Sequence, residues 1–122
     1  RPLAILLSER APTLEEAWRE AIKDGRITAY EERMLNELQN VLGYTDQQVA
    51  IMSARIAAEY ALRRGRLSLD QIDLINIGIG LMPSPKKWKN QFDDIVTEGK
   101  LSVMERVFLG KLVFALDDDE EE

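Results

Sequence analysis

The chain has 122 residues, which is enough for one domain with a single hydrophobic core. It contains no cysteine and no histidine. Disulfides, a thiolate nucleophile and cysteine-ligated zinc are therefore excluded, and the commonest general base is missing. The formal net charge of −6 argues against non-specific nucleic-acid binding, which needs a basic surface. No apolar run is long enough to span a bilayer, so we expect a cytoplasmic protein or the soluble domain of a membrane-associated one.

The first part of the chain predicts an arm followed by three helices. Residues 1–12 are expected to form the arm, because an apolar run at residues 2–7 leads to a break at Ala11-Pro12. Apolar residues then recur at helical spacing. The residues predicted to face inward are Leu14, Ala17, Trp18, Ala21 and Ile22 in the first helix, Met34, Leu35, Leu38 and Leu42 in the second, and Val49, Met52, Ile56 and Tyr60 in the third. The third helix is rich in alanine, which lets neighbours approach closely, so we place it in the centre.

The second half predicts three more helices and a tail. Residues 72–82 contain β-branched residues, Gly78 and Gly80, which are compatible with a strand, but the preceding cap at Ser68, the length and the sister repeats favour a buried helix. The two glycines then permit a close crossing or an early end. The fifth helix is predicted to start at Ser84-Pro85, with Ser84 as its cap, and to end at Gly99. The residues predicted to face inward from the sixth helix are Val103, Val107, Phe108, Leu112 and Val113. The bundle is expected to occupy residues 13–115. Residues 116–122, which are acidic from Asp117 onward, are expected to form a disordered tail.

One short pattern occurs three times, around Gly25, Gly65 and Gly99. Each copy reads glycine, a basic residue, Ile or Leu, a hydroxyl residue, and Glu or Gln three positions after the hydroxyl. Glycine takes the left-handed conformation that ends a helix, and the hydroxyl and the Glu or Gln form a capping box that starts the next one. The sequence therefore predicts an all-α fold: a compact bundle of about six short helices with internal helix-hairpin repeats.

The first copy of the pattern also has an interpretation as a cation site. When Gly25 is aligned with the glycine of a calcium-binding helix–loop–helix, Glu20, Asp24 and Glu31 fall on its first, fifth and twelfth positions. Ile22 stands at the third position, where an oxygen ligand is needed. The capping interpretation is therefore favoured, and a calcium or magnesium site at these three residues is the alternative. No catalytic residue and no other cofactor is expected.

Two clusters of basic residues suggest a further alternative. They comprise Arg63, Arg64 and Arg66, and Lys86, Lys87 and Lys89. Such clusters at helix ends usually complement the helix dipole and aid solubility. The alternative is a phosphate- or lipid-facing patch, which would make the protein a peripheral membrane or nucleic-acid-associated module.

Residues 21–35, which run from Ala21 through Asp24-Gly25 and Glu31 to Leu35, resemble the signature of tellurite-resistance TerB-like helical domains. A similar repeat is found in some helical scaffold proteins of the chloroplast import machinery. The TerB-like resemblance implies an all-α accessory or stress-associated module, often fused to other domains or membrane segments, without defined catalytic chemistry. It also implies that Asp24 and Glu31 are the matching acidic positions, in a family of which parts are associated with ion binding.

These observations favour a non-enzymatic helical module that presents one face to a protein partner. The chain is expected to be part of a longer protein, since it begins with Arg1 rather than methionine. The oligomeric state does not follow from the sequence.

Overall fold

The structure is a computed structural model that describes residues 13–121, and the side-chain surroundings up to Asp117. The predicted arm at residues 1–12 lies outside the described residues. The described chain forms six helices and one two-stranded sheet: α1 (Leu14–Ile22), α2 (Ala29–Leu42), α3 (Asp46–Arg64), β1 (Arg66–Leu67), α4 (Leu69–Ile79), α5 (Pro85–Ile95), β2 (Gly99–Lys100) and α6 (Val103–Glu121). The prediction of an all-α bundle of six helices is confirmed.

Hydroxyl residues start the helices where the sequence predicts them, with one exception. Capping boxes are formed by Thr13 with Glu16, Thr28 with Glu31, Thr45 with Gln48, Ser68 with Gln71, and Ser102 with Glu105. The prediction for Ser84 is wrong, because its backbone has φ 54° and ψ 53° and its side chain makes no capping bond. A capping side chain needs an extended backbone at that position. Instead, Pro85 begins α5 with a φ already suited to a helix.

The alanine-rich helix α3 lies at the centre of the bundle, as predicted. It packs against α1, α4 and α6, and Ala54, Ala57 and Ala58 are fully buried. The segment whose sequence is compatible with either a strand or a helix forms the helix α4. In this helix Gly78 lies directly against Ala54 of α3. Gly80 follows the last residue of α4 as its C-cap. The two glycines therefore have the two functions that the sequence allowed, a close crossing and an early end.

The boundary predicted for the fifth helix is wrong, and a short sheet takes its place. Helix α5 ends at Ile95 rather than at Gly99. Gly99 and Lys100 instead form β2, which pairs antiparallel with β1. This sheet was not predicted, because a strand of two residues is too short to show the alternation of apolar and polar residues that identifies strands.

Three residues predicted to face inward are exposed: Leu42 is 42% exposed, Val103 77% and Val107 54%. In α6 the buried stripe contains Phe108, Leu109, Leu112 and Leu116. Helix α6 carries apolar residues on more than one side, so helical spacing alone does not identify its buried face.

The predicted boundary between the bundle and its tail also differs from the structure. The sequence predicts that Leu116 belongs to the tail, but it is fully buried and continues the inner stripe of α6 one turn beyond Leu112. The backbone is helical as far as Glu121, and the last residue of the predicted tail lies outside the described residues.

Candidate functional site

The three copies of the glycine–hydroxyl pattern meet at one end of the bundle, at a place we call the turn junction. Ser68 Oγ donates a hydrogen bond to the carbonyl oxygen of Gly25 at 2.5 Å. The backbone N–H of Ile27 donates to Asp70 Oδ2 at 2.7 Å, which joins the first copy to the second. The N–H of Leu101 donates to the carbonyl oxygen of Gly65 at 3.0 Å and joins the third copy to the second. The three copies of the pattern, which are far apart in the sequence, are therefore in contact in the folded chain.

The turn junction encloses a cleft of about 330 Å³ that carries both signs of charge. The charged residues that line the cleft are two acids, Asp24 and Glu98, and two bases, Arg64 and Arg66. Arg64 also donates to the carbonyl oxygen of Lys23 at 2.7 Å, which fixes it to the end of α1. With two acids and two bases, the cleft has no strong preference for an anion or a cation.

The carboxylates predicted as metal ligands are each engaged in another contact. Glu20 Oε2 lies 2.6 Å from Lys23 Nζ, and Asp24 Oδ1 accepts the backbone N–H of Arg26 at 3.0 Å. Glu31 closes its capping box by accepting the N–H of Thr28 at 2.9 Å. Among the side chains that the structure describes, those of residues 13–117, no three acidic groups come together in a cluster that could hold a metal ion. These carboxylates stabilise turns and helix starts.

The two basic clusters do not form one patch. Arg64 and Arg66 line the turn junction, at the start of α4. Lys86 and Lys89 lie beside the other end of α4, around a shallow apolar groove. Lys89 is further engaged by Asn76 and by Asp93, whose Oδ1 lies 3.3 Å from its Nζ. A helix of eleven residues separates the clusters by roughly 16 Å.

The described surface carries an exposed apolar stripe on α6, which we call the outer face. It consists of Val103, Val107 and Phe114, with Met104 beside them, and Phe114 and Met104 are 69% and 66% exposed. Val103, Val107, Gly110 and Phe114 are spaced by four, three and four residues, so they share one side of the helix. No residue within the described part of the chain buries this stripe. Phe114 and Met104 lie outside the inner stripe that helical spacing predicts for α6, so no signal in the sequence marks them as functional residues.

The N-terminal end of α6 is held to the bundle by Glu105, which is only 2% exposed. One carboxylate oxygen of Glu105 accepts the N–H of Ser102 at 2.7 Å and the other accepts the N–H of Thr97 at 2.9 Å. Burial by itself raises the pKa of Glu105, but these two backbone bonds and the Ser102 hydroxyl outweigh it, so the pKa lies below its ordinary value.

The C-terminal half of α6 is held by an ion-pair network around Arg55, a buried residue of α3. Its guanidinium contacts Glu15 at 2.9 Å and Glu59 at 3.0 Å, and its Nε lies 3.1 Å from Asp117 of α6. Burial raises the pKa of Glu15, but its ion pairs with Arg55 and Arg19 prevail and lower it. Helix α6 is thus fixed at both ends, and this fixes the orientation of the outer face.

No helix among the described residues is long and apolar enough to cross a membrane. Comparisons of the chain with protein-family models, with curated protein sequences and with solved structures give no match.

Proposed function

We propose that the protein is a non-enzymatic interaction module whose outer face of α6 docks against an apolar helical surface of a protein partner. The observation that carries this proposal is the exposure of Val103, Met104, Val107 and Phe114 on one helix. Folded chains seldom leave contiguous apolar side chains in water unless the patch has a binding role. Phenylalanine and methionine are also enriched in the cores of protein interfaces.

The position of the stripe suits a docking surface. The inner stripe of α6 is buried through Phe108, Leu109 and Leu112, so the helix does not need to turn its outer face inward for stability. Glu105 and Asp117 hold its two ends. A partner would therefore meet a surface that is already ordered, and ordering that surface adds little to the cost of binding.

The residue types present support a non-enzymatic role. The chain has no histidine and no cysteine, and the carboxylates at the turn junction bind backbone N–H groups or a lysine. We extend to this proposal the resemblance of residues 21–35 to TerB-like domains, because that resemblance implies an accessory module without defined catalytic chemistry.

The test is a binding experiment with a matched pair of variants. Immobilised wild-type protein, Phe114→Glu and Val41→Glu are exposed to extract of the source cells, and retained proteins are identified by mass spectrometry. Val41 is 80% exposed and lies on α2, so Val41→Glu adds the same charge away from the outer face. We expect a protein that is retained by the wild type and by Val41→Glu and lost with Phe114→Glu. Equal retention by all three proteins would contradict the proposal.

A further inference from the structure

We infer that the outer face of α6 binds the same face of a second copy of this chain, with the two helices antiparallel. This inference rests on the proposed function, since it names the partner of the same surface. Three features of α6 support it: the order of residues along the stripe, a glycine that no contact among the described residues explains, and opposite charges at the two ends.

The stripe has the same spacing when read in either direction. Val103 and Phe114 are its outer members, Val107 and Gly110 its inner members, and the intervals of four, three and four residues are symmetric. Two such helices placed antiparallel bring Val103 of one copy against Phe114 of the other, and Val107 against Gly110. Both pairs occur twice around a two-fold axis, which is the arrangement of most homodimers. Alternating intervals of three and four residues also suit packing of helices at a shallow angle.

Gly110 lies in the interior of α6, where glycine destabilises a helix relative to alanine. A Cβ atom added there would meet no heavy atom of the described residues within 4 Å. Packing within the described part of one copy therefore gives no reason for a glycine at this position. In the antiparallel pair, Gly110 provides the space that Val107 of the second copy occupies, and it lets the two backbones approach closely.

The charges at the two ends of α6 select the antiparallel orientation. Lys100 lies exposed just before the helix, whereas every residue from Asp117 onward in the sequence is acidic. In an antiparallel pair the start of each helix lies beside the acidic end of the other. A parallel pair would place the two acidic runs side by side, where like charges repel.

The first test is the oligomeric state of the whole chain, measured by sedimentation equilibrium from micromolar to millimolar concentration. We expect a reversible dimer that Phe114→Glu weakens about 30-fold or more, because it replaces the largest apolar side chain of the stripe by a charge. Val41→Glu is the control and should dimerise like the wild type. Gly110→Leu fills the space for Val107 and should weaken the dimer, while the melting temperature of the dilute monomer rises because leucine favours the helix. If Gly110→Leu instead damaged the fold, the dimer affinity and the melting temperature of the monomer would fall together.

The orientation is tested by disulfide cross-linking, which the absence of native cysteine makes unambiguous. One chain carries Met104→Cys and the other Lys111→Cys, since both positions flank the stripe and face each other in the antiparallel pair. We expect the mixed dimer to cross-link fastest. Val103→Cys, which lies within the stripe, would meet its own copy only in a parallel pair. Faster self-linking of Val103→Cys than of the mixed dimer would therefore overturn the orientation.

The two proposals fail in different ways. A chain that stays monomeric at millimolar concentration, yet retains a different protein that Phe114→Glu loses, would overturn the second-copy inference and leave the proposed function standing. A monomer without any partner that depends on Phe114 would overturn both.

Discussion

Replacing Gly78 by alanine tests the central contact of the bundle, the crossing of α3 and α4. A Cβ atom at Gly78 would overlap the methyl group of Ala54 and lie 3.2 Å from the carbonyl oxygen of Ala50. Carbon atoms of neighbouring side chains prefer separations near 3.5–4.0 Å, so the two helices would have to move apart by on the order of 1 Å. Neither Cβ can rotate away, because each is fixed by its backbone.

The expected cost follows from two opposing effects. Overpacking of a well-packed core costs up to about 3 kcal/mol, whereas alanine in place of glycine stabilises a helix interior by about 1 kcal/mol. We therefore expect Gly78→Ala to lower the free energy of unfolding by about 2 kcal/mol. For a domain of this size that corresponds to a fall in melting temperature of roughly 8 °C or more.

The matched control is Gly80→Ala, two residues further along the chain at the C-cap of the same helix. Gly80 has φ −62°, which any residue adopts, and an added Cβ would approach the carbonyl oxygen of Ile77 no closer than 3.4 Å. Both variants are measured by urea denaturation followed by circular dichroism, and Gly80→Ala should be unchanged or slightly stabilised. If Gly78→Ala is as stable as Gly80→Ala, the crossing is not as close as described and the reasoning is refuted.

Three further perturbations address the caps, the buried acid and the predicted metal ligands. Ser68→Ala should cost about twice as much as Thr45→Ala, for which about 1 kcal/mol is expected, because Ser68 also bonds Gly25 across the turn junction; equal losses in urea titrations would contradict this. Glu105→Gln places an amide N–H₂ against a backbone donor and should cost about 2 kcal/mol near neutral pH. Because the pKa of Glu105 is lowered in the folded state, its contribution is present above its ordinary value of 4.5 and is lost as the pH falls through the lower folded value. The difference between Glu105→Gln and wild type should therefore shrink in acid, and a constant difference would refute the assignment. Addition of calcium or magnesium after chelation should leave the melting temperature unchanged, since the three predicted ligands are engaged elsewhere, whereas a rise would indicate binding to the native state.

The local features of this fold were predictable because they depend on residues close together in sequence. A capping box needs only a hydroxyl and an acid or amide three positions later, and Thr28 with Glu31 forms one as predicted. Ser84 satisfied the composition of a cap but not its backbone conformation, which is set by the tight turn before Pro85. A cap is therefore predictable from composition only where the preceding backbone is extended.

The candidate site depends on which side of α6 the bundle covers, and local sequence does not contain that information. Val107 and Phe108 are both large and apolar, yet one is 54% exposed and the other 3%. The choice follows from packing of α6 against α3, a contact between distant parts of the chain. The turn junction is similar: the repeats were visible in the sequence, but the bond from Ser68 to Gly25 required the folded arrangement.

The turns that connect the helices differ in their contacts, and this difference determines where the chain can accept an insertion. The turns at Gly25 and Gly65 bond to other turns through backbone groups, so extra residues there would break long-range contacts. The turn at Gly43 is exposed, and no atom of residues 13–117 lies within 4 Å of where its Cβ would be. Loop insertions are accepted where backbone is exposed and bonded only locally. The α2–α3 connection is therefore the place to open the chain for circular permutation or to insert a reporter domain, at the opposite end of α3 from the turn junction.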